Sequence, residues 1–353
     1  MAIRNGNERR GRHLSMGALW AQSRETAWDY LAQEAVRRAG KGPQLKGIIH
    51  ELAIRERSNL TREGLLSGVR TNVTRSPIAR TVDLVTTRDG RVIARIQAKD
   101  CISNACVRKV QGRVAAGQYR TASLVGTRET VDKFRSAGVT KNVRSSGVSS
   151  RSTTRAADNV GANVPNNKLL LNNVLDIAGC AGRAGATGVL LGAGSEAWGS
   201  FRELRTGKIS GTKYAQRVVV TGVKVALDST FRTTIALGTK EATKAVARTI
   251  GAQGLRRFAG SNPGTAVAFG FAEQTISTFQ LLSGKIDGRE YGTRTVQTAG
   301  STGGAIGGAA AGAVVGSVIP IVGTVAGAVV GGIAGSLAGG GLGRGLGNLL
   351  FSD

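Results

Sequence analysis

A charge-free run of 49 residues, Thr295–Gly343, most constrains how this 353-residue chain can fold. Glycine recurs at every fourth position, first over Gly304–Gly316 and again over Gly323–Gly347. Because residues four apart lie on the same face of a helix, the pattern predicts two helices with smooth glycine stripes. Such stripes let helix backbones approach closely. Pro320 lies between the stripes, and the run therefore predicts a helical hairpin over 301–353.

Each arm of this hairpin has roughly the length that a membrane-spanning helix needs. The stretch Ser301–Leu350 resembles the glycine-zipper hairpins of bacterial membrane-active proteins and the hydrophobic hairpin of pore-forming colicins. The resemblance implies a membrane partner, and the stripes also favour a homo-oligomer. The alternative is a buried hairpin in a soluble helical bundle, because glycine and alanine add little apolar surface per residue.

An internal repeat precedes the hairpin. Leu204–Thr221 and Leu281–Thr298 align at an offset of 77 residues and are identical at nine of 18 positions, including Gly-Lys-Ile-x-Gly. In both copies this motif joins helix-like segments, so 174–300 is predicted to be an all-α repeat module. The predicted helices are Asp176–Arg205, Thr212–Leu237, Lys240–Phe258, Thr265–Leu282 and Arg289–Val318.

Most of the positive charge lies in the first half of the chain. Lysine and arginine outnumber aspartate and glutamate by 48 to 22, a formal charge of +26, and residues 1–160 contribute +17 of it. This excess favours an acidic partner, above all nucleic acid and more weakly an anionic lipid surface. Three cysteines exclude a disulfide-scaffold protein, and two histidines leave few routes to a His-rich metal site or a Ser-His-Asp hydrolase.

The first half also has a readable order of helices and strands. Asp-Gly between two alternating segments is the strongest short-range hairpin signal, and Asp89-Gly90 has that context. Apolar spacing and breaker residues define the other elements. The predicted elements are helices at Met16–Arg38 and Gln44–Arg57, hairpin strands at Ala79–Thr87 and Arg91–Lys99, a helix at Ile102–Ala115, a strand at Ala122–Gly126 and a helix at Glu129–Ala137.

Four residues fall where metal-dependent phosphodiester chemistry would need them: Glu51 on a helix, Asp83 on the first hairpin strand, and Gln97 and Lys99 at the end of the second. Residues 44–138 thus resemble the PD-(D/E)xK nuclease superfamily, whose restriction-endonuclease-like fold is a small mixed sheet flanked by helices. The resemblance implies that Asp83, Gln97 and Glu51 hold Mg²⁺ or Mn²⁺ and that Lys99 is the catalytic cation. Gln97 replaces the usual acidic residue, so a neutral amide would serve as a ligand.

Strand register is a check on this site. A two-residue turn would place Asp83 opposite Ile96, facing away from Gln97, because a one-residue slip moves a side chain to the other face. A three-residue loop, Arg88–Gly90, would instead place Asp83 on the same face as Gln97 and Lys99. The site therefore predicts a bulged loop with Gly90 at positive φ.

Basic residues and cysteines follow the predicted site. Four basic side chains could line a track for phosphate groups, or they could form an ordinary solvated helix face: Arg108, Lys109, Arg113 and Arg120. Cys101 and Cys106 lack a second cysteine pair and a nearby histidine, so they are interpreted as small packing residues.

The predicted fold is an α+β N-terminal domain followed by an all-α, Gly/Ala-rich helical-hairpin module. The predicted segments are a basic helical segment at 1–43, a nuclease-like domain at 44–144, a linker at 145–173, the repeat module at 174–300 and the hairpin at 301–353. No apolar core follows the arginines near the N-terminus, so no secretory signal peptide is expected, and the predicted location is membrane-associated or cytoplasmic in a bacterium.

These features together predict a Mg²⁺-dependent nuclease for DNA or RNA, coupled to a membrane-interacting module. That combination is typical of a bacterial toxin or effector, for which an inhibitor protein would be a further partner. One alternative is a membrane-associated or pore-forming structural protein with an inactive nuclease-like binding domain. Another is a nucleic-acid-binding protein without catalytic chemistry.

Overall fold

The computed structural model describes residues 16–74, 82–139, 142–162, 169–318 and 323–350. These residues are mostly helical, with one five-stranded mixed sheet in the N-terminal half. The chain divides into two compact units. The N-terminal unit is Ala27–Asn173 together with Gly312–Ala328, and the helical unit is Met1–Thr26, Val174–Ala311 and Val329–Asp353. The predicted combination of an α+β region and a helical C-terminal region is confirmed.

The first half of the chain contains more elements than its sequence predicts. In chain order they are α1 (Met16–Ala39), α2 (Leu45–Asn59), α3 (Arg62–Leu66), β1 (Arg70–Val73), β2 (Leu84–Arg88), β3 (Arg91–Lys99), α4 (Asn104–Ala115), β4 (Ser123–Gly126), α5 (Arg128–Ser136), β5 (Val143–Ser145) and α6 (Ser150–Asn159). The short α3, β1 and β5 were not expected, because segments of three to five residues carry little periodic signal.

The five strands lie in the order β1-β2-β3-β4-β5. The first three are antiparallel, and β4 and β5 run parallel to β3. Helix α4 makes the crossover that a parallel β3–β4 pair requires. Ile54 of α2 packs with Leu84 and Val125 on one face of the sheet, and Phe134 of α5 packs with Leu124 on the other.

The stretch 145–173, predicted to be a linker, contains helix α6, whose side chains are buried at every position except Arg151. Polar partners explain how such a polar helix can be buried. Thr153 Oγ1 donates to Asp100 Oδ2 at 2.6 Å, and Asn159 Nδ2 donates to Asp29 Oδ1 at 2.8 Å. Its composition is typical of a linker, but tertiary hydrogen bonds give it a packed position.

The helices of the second half of the chain supply most of the helical unit, although residues 312–328 belong to the N-terminal unit. These helices are α7 (Leu169–Arg205), α8 (Gly211–Thr249), α9 (Gln253–Ala259), α10 (Asn262–Leu282), α11 (Gly288–Val318) and α12 (Gly323–Leu350). Helix α8 continues through Gly238, where two helices were predicted to meet. Ala236 and Leu237 are completely buried in the core with Phe269, and this packing offsets the roughly 1 kcal/mol that a mid-helix glycine costs.

The two repeat copies form the same turn. Gly207 and Gly284 both have positive φ, at 71° and 68°, as expected for glycine just past a helix end. Two residues later Ile209 and Ile286 are both buried. The next helix then begins with a polar cap, because Ser210 Oγ accepts from the Lys213 N–H and Asp287 Oδ1 accepts from the Glu290 N–H.

Backbone contact between α11 and α12 explains the glycine stripes. A Cβ atom at Gly304 would overlap the carbonyl oxygen of Gly335, and the same holds for Gly308 against Gly331 and for Gly300 against Gly339. No side chain larger than hydrogen fits between these backbones. Pro320 and the arginines Arg4, Arg9, Arg10 and Arg12 lie outside the described residues.

Candidate functional site

The β2–β3 hairpin sets the register on which the site depends. Its turn has two residues, Asp89 and Gly90, with φ of 50° and 77°, and Arg88 pairs with Arg91. The positive φ of Gly90 is therefore confirmed, but the predicted three-residue loop is wrong. A bulge lies further along the hairpin instead, where Thr86 pairs with Ala94 and Thr87 pairs with Val92.

This bulge supplies the one-residue slip that the site needs. Leu84 pairs with Ile96, and the Asp83 N–H donates to the Ile96 carbonyl oxygen at 2.8 Å. Asp83, one residue before Leu84, thus lies next to Gln97 and on the same face. Without the bulge, the two-residue turn would have directed Asp83 to the opposite face of the hairpin.

Asp83 is held in place by the strand that carries its predicted partners. Gln97 Nε2 donates to Asp83 Oδ2 at 2.5 Å, and the Ala98 N–H donates to the same oxygen at 2.8 Å. Lys99 Nζ lies 3.9 Å from that oxygen. Gln97 Oε1 is buried and has no hydrogen-bond partner within the described part of the chain. Since an unpaired buried oxygen is costly, this amide has the capacity to accept a further ligand.

Glu51 on α2 is electrostatically coupled to the same group. Burial first, and the nearby Asp83 carboxylate second, raise the pKa of Glu51 to about 7 against the opposing charges of Lys99 and Arg38. Burial likewise raises the pKa of Asp83, against the opposing influence of Lys99 and of the two hydrogen bonds. Asp83, Gln97 and Lys99 thus lie together, and Glu51 interacts with Asp83 and Lys99 electrostatically.

Lys99 lies between these carboxylates and the beginning of a basic surface. The pKa of Lys99 is lowered, mainly because the side chain is removed from water. The negative charges of Asp83 and Glu51 oppose this shift, and the positive charge of Arg113 adds to it. Lys99 Nζ lies 6.0 Å from the centre of the Tyr119 ring, and Arg113 Nη1 donates to Tyr119 Oη at 3.4 Å. Tyr119 had no sequence signal, because neither its burial nor its position beside Lys99 follows from a local pattern.

Of the predicted phosphate track, Arg113 is the member that interacts electrostatically with the site. Arg108, Lys109 and Arg120 have exposed side chains, and no ion pair or hydrogen bond within the described residues joins them to the four site residues. Their position on and just after α4 is compatible with a solvated basic face, the alternative interpretation of these residues.

The donor set suits a hard cation. Among the described residues no group of three or more His, Cys, Asp or Glu side chains is placed to hold a metal ion. The site offers the Asp83 carboxylate and the amide oxygen of Gln97, which is unpaired among the described residues, and the Glu51 carboxylate is electrostatically coupled to Asp83. Because Mg²⁺ keeps several waters and needs only one or two protein carboxylates, these oxygens fit Mg²⁺ or Mn²⁺ and do not fit a soft metal.

A second polar network lies behind the site and was not predicted. Asp100 accepts from Thr153 at 2.6 Å and pairs with Lys46 Nζ at 3.3 Å. His50 Nε2 lies 2.9 Å from Ser146 Oγ, and burial lowers the pKa of His50 to about 4, so the ring is neutral. Asp100 directly follows β3, so this network holds the end of the strand that carries Gln97 and Lys99.

Cys101 and Cys106 form a disulfide, whereas the sequence suggested two separate packing residues. The bond joins the segment after β3 to the first turn of α4. Cys180, the third cysteine, is buried in the helical unit.

No protein-family model, curated protein or solved structure matches this chain.

Proposed function

We propose that the N-terminal unit is a Mg²⁺-dependent nuclease of the PD-(D/E)xK type, acting on DNA or RNA. The observation that carries the proposal is the meeting of Asp83, Gln97 and Lys99 within hydrogen-bond or ion-pair distance, with Glu51 coupled to them. A helix, an antiparallel hairpin, a helix and a parallel strand follow one another in the order that the resemblance requires.

Each residue has a role that follows from its contacts. Asp83, Glu51 and the Gln97 amide oxygen would hold the cation, and the Ala98 N–H and Gln97 Nε2 orient the Asp83 carboxylate. A bound Mg²⁺ lowers the pKa of a water and neutralises phosphate charge. Lys99 holds a compact positive charge beside the carboxylates, where it would bind the scissile phosphate and the charge that develops on it. Arg113 extends positive charge away from Lys99.

Cleavage of nucleic acid by the full-length protein tests this assignment. In Mg²⁺, Asp83→Asn and Lys99→Met should each reduce the rate of plasmid or RNA cleavage at least about a hundredfold, since each removes charge from the transition state. The matched control is Asp89→Asn, which removes a carboxylate from the turn of the same hairpin, where asparagine tolerates positive φ. Cleavage that is equal in all four proteins would refute the site.

The helical unit is proposed to associate with membranes, through 301–350 in particular. Its support is the set of exposed leucines on α12, including Leu342 and Leu349. A nuclease joined to such a unit suits a bacterial toxin or effector, with a membrane-associated location and an inhibitor protein as partner. Flotation of the full-length protein with anionic vesicles should be observed, and its absence would refute the membrane part of the proposal.

Gln97 favours one alternative. A neutral amide in place of a carboxylate weakens cation binding, so the N-terminal unit could bind nucleic acid without cutting it. In that case the protein should retain duplex DNA with a steep dependence on salt and show no turnover in Mg²⁺ or Mn²⁺, and Gln97→Glu should not create turnover.

A further inference from the structure

Several outward helix faces in the helical unit are rich in large apolar side chains. On α7 the exposed positions at helical spacing are Leu190, Gly194 and Trp198, and the Trp198 side chain is 85% exposed. The opposite face of α7 packs on α8, where a Cβ at Gly185 would overlap the Thr230 side chain. Helix α7 therefore presents its larger apolar side chains to the surroundings and its small residues to its neighbour.

The same arrangement is found on three more helices of this unit. On α8 and α10 the exposed large apolar side chains recur three, four or eight residues apart and thus follow one face of each helix, whereas on α12 they form a group of two and a group of three, separated by a step of five residues. They are Val220, Val223, Leu227 and Phe231 on α8, Val267, Phe271, Phe279 and Leu282 on α10, and Val330, Leu337, Leu342, Leu346 and Leu349 on α12. An exposed apolar surface of this extent marks an interaction site in a protein.

Several charged side chains of α8, in contrast, are buried, whereas Lys224 beside Val223 on the same helix is exposed. Lys240 and Lys244 on α8 are both almost completely inaccessible to solvent. Lys244 Nζ pairs with Glu241 at 2.6 Å, and Lys240 Nζ donates to Thr265 Oγ1 at 2.6 Å. Arg232, also buried, pairs with Asp228 and with Glu273.

Water favours the opposite distribution, with charge outside and large apolar groups inside. Hydrocarbon favours this one, because ionisable groups within a bilayer face the bundle interior and pair with one another. One helical segment of the described chain, Asn172–Arg205, is also long and apolar enough to cross a membrane, with a mean hydropathy of 1.3 and 39% of its most apolar window buried.

Aromatic and basic residues mark where the apolar faces end. On α7 the exposed Trp198 and Phe201 are followed by the exposed Arg202 and Arg205. At the second repeat copy, exposed Phe279 and Leu282 are followed by exposed Lys285 and Arg289. Aromatic rings prefer the headgroup region of a bilayer, and lysine and arginine near the surface bind anionic headgroups.

We infer that the outer faces of α7 and α10 are bilayer-facing surfaces, with the two Gly-Lys-Ile turns at the headgroup level of an anionic membrane. The apolar residues lie on several helices, each of which uses another face for packing. A second protein copy would cover a single patch, whereas a bilayer covers all of these stripes at once. The inference rests on the membrane part of the proposed function and extends it from 301–350 to the repeat module.

Trp198 is a built-in reporter for this surface. The full-length protein and its Trp198→Phe variant are mixed with anionic vesicles whose acyl chains carry bromine, and the difference between their emissions is the signal of Trp198. Strong quenching of this signal by brominated lipid, compared with unbrominated lipid, is the expected result. An unquenched Trp198 in vesicle-bound protein would overturn the inference, as would a Trp198 signal that shifts with protein concentration in the absence of lipid.

A second probe separates this inference from the proposed function. Leu342→Trp in the Trp198→Phe background reports on α12. Quenching at residue 342 without quenching of Trp198 would leave the hairpin as the membrane element and overturn the inference alone. No quenching at either residue, together with no flotation, would overturn both.

Charge placed on the surface provides an independent measurement. Leu190→Glu should lower the fraction of protein that floats with anionic vesicles at least about tenfold, since a carboxylate would have to enter the apolar layer. The matched control is Leu66→Glu in the N-terminal unit, because both leucines are 75% exposed. Equal flotation of the two variants would refute a bilayer contact at α7.

Discussion

The two units of this protein bury charge for different purposes. In the N-terminal unit the buried Gln97 lies with the half-buried Asp83 and Lys99 near the end of β3, and its amide oxygen is unpaired among the described residues. In the helical unit the buried Lys244 and Glu241 pair with one another, and several exposed helix faces are rich in large apolar side chains. Incompletely satisfied buried groups point to a ligand, whereas internally paired charges beneath an apolar exterior point to a nonpolar environment.

Backbone contact in the helical unit is the part of this comparison with the largest predicted effect. Gly304→Ala should lower the free energy of unfolding by about 3 kcal/mol, because its Cβ would overlap the Gly335 carbonyl oxygen and overpacking has costs of this size. The control is Gly303→Ala, where no atom lies within 4 Å of the added Cβ and alanine should stabilise the helix by up to about 1 kcal/mol. Urea unfolding followed by circular dichroism measures both, and equal values would show that α11 and α12 do not pack this closely.

Ionisation of Glu51 in the N-terminal unit should lower the free energy of unfolding, by an amount that depends on pH. Glu51 ionises near 4.5 when unfolded and near 7 when folded, so the folded state holds the proton more tightly and loses stability as pH rises between these values. Glu51→Gln removes this loss. Between pH 5 and pH 8 the stability of the variant relative to the wild type should increase by about 2 kcal/mol, from about 1.4 kcal/mol per pKa unit.

Urea unfolding without metal at the two pH values makes this measurement. Added Mg²⁺ should reduce the difference at pH 8, because a cation bound to the folded state stabilises it. A difference that does not change with pH would place Glu51 in water, apart from Asp83.

The two repeat turns give the smallest predicted effect. Ser210→Ala and Asp287→Ala each remove a side chain that caps the next helix, and each should lower the free energy of unfolding by about 1 kcal/mol. Thermal unfolding of the two variants should therefore show similar shifts. Very different shifts would mean that the two copies share a sequence motif but not its structural role.

Local patterns carried much of the information about secondary structure. The Asp-Gly turn, the ends of β3 at Arg91 and Lys99, and the glycine-terminated helix before the first Gly-Lys-Ile motif were all predicted from residue types that favour one backbone conformation. The break predicted near Gly238 is absent, since burial of Leu237 outweighs the local preference of glycine.

The candidate site was predictable in its members and not in its geometry. Glu51, Asp83, Gln97 and Lys99 could be chosen because their side chains suit phosphodiester chemistry. The register that joins them comes from a bulge at Ile93, opposite the step from Thr86 to Thr87, and no glycine at that step marks it in the sequence. The contact of Tyr119 with Lys99 and that of Asp100 with Thr153 could not be predicted from local patterns, since these partners are twenty or more residues apart in sequence.

The sequence by itself determined the elements that depend on neighbours in the chain: the glycine-striped helices, the repeated Gly-Lys-Ile turn and the β2–β3 hairpin. Only the tertiary structure decided which side of each helix faces outward and which strand face carries Asp83. Helix and strand periodicity define faces but not what those faces meet, because packing is set by contacts between residues far apart in sequence. The buried pairing of Lys244 with Glu241 beneath exposed leucines belongs to this second category.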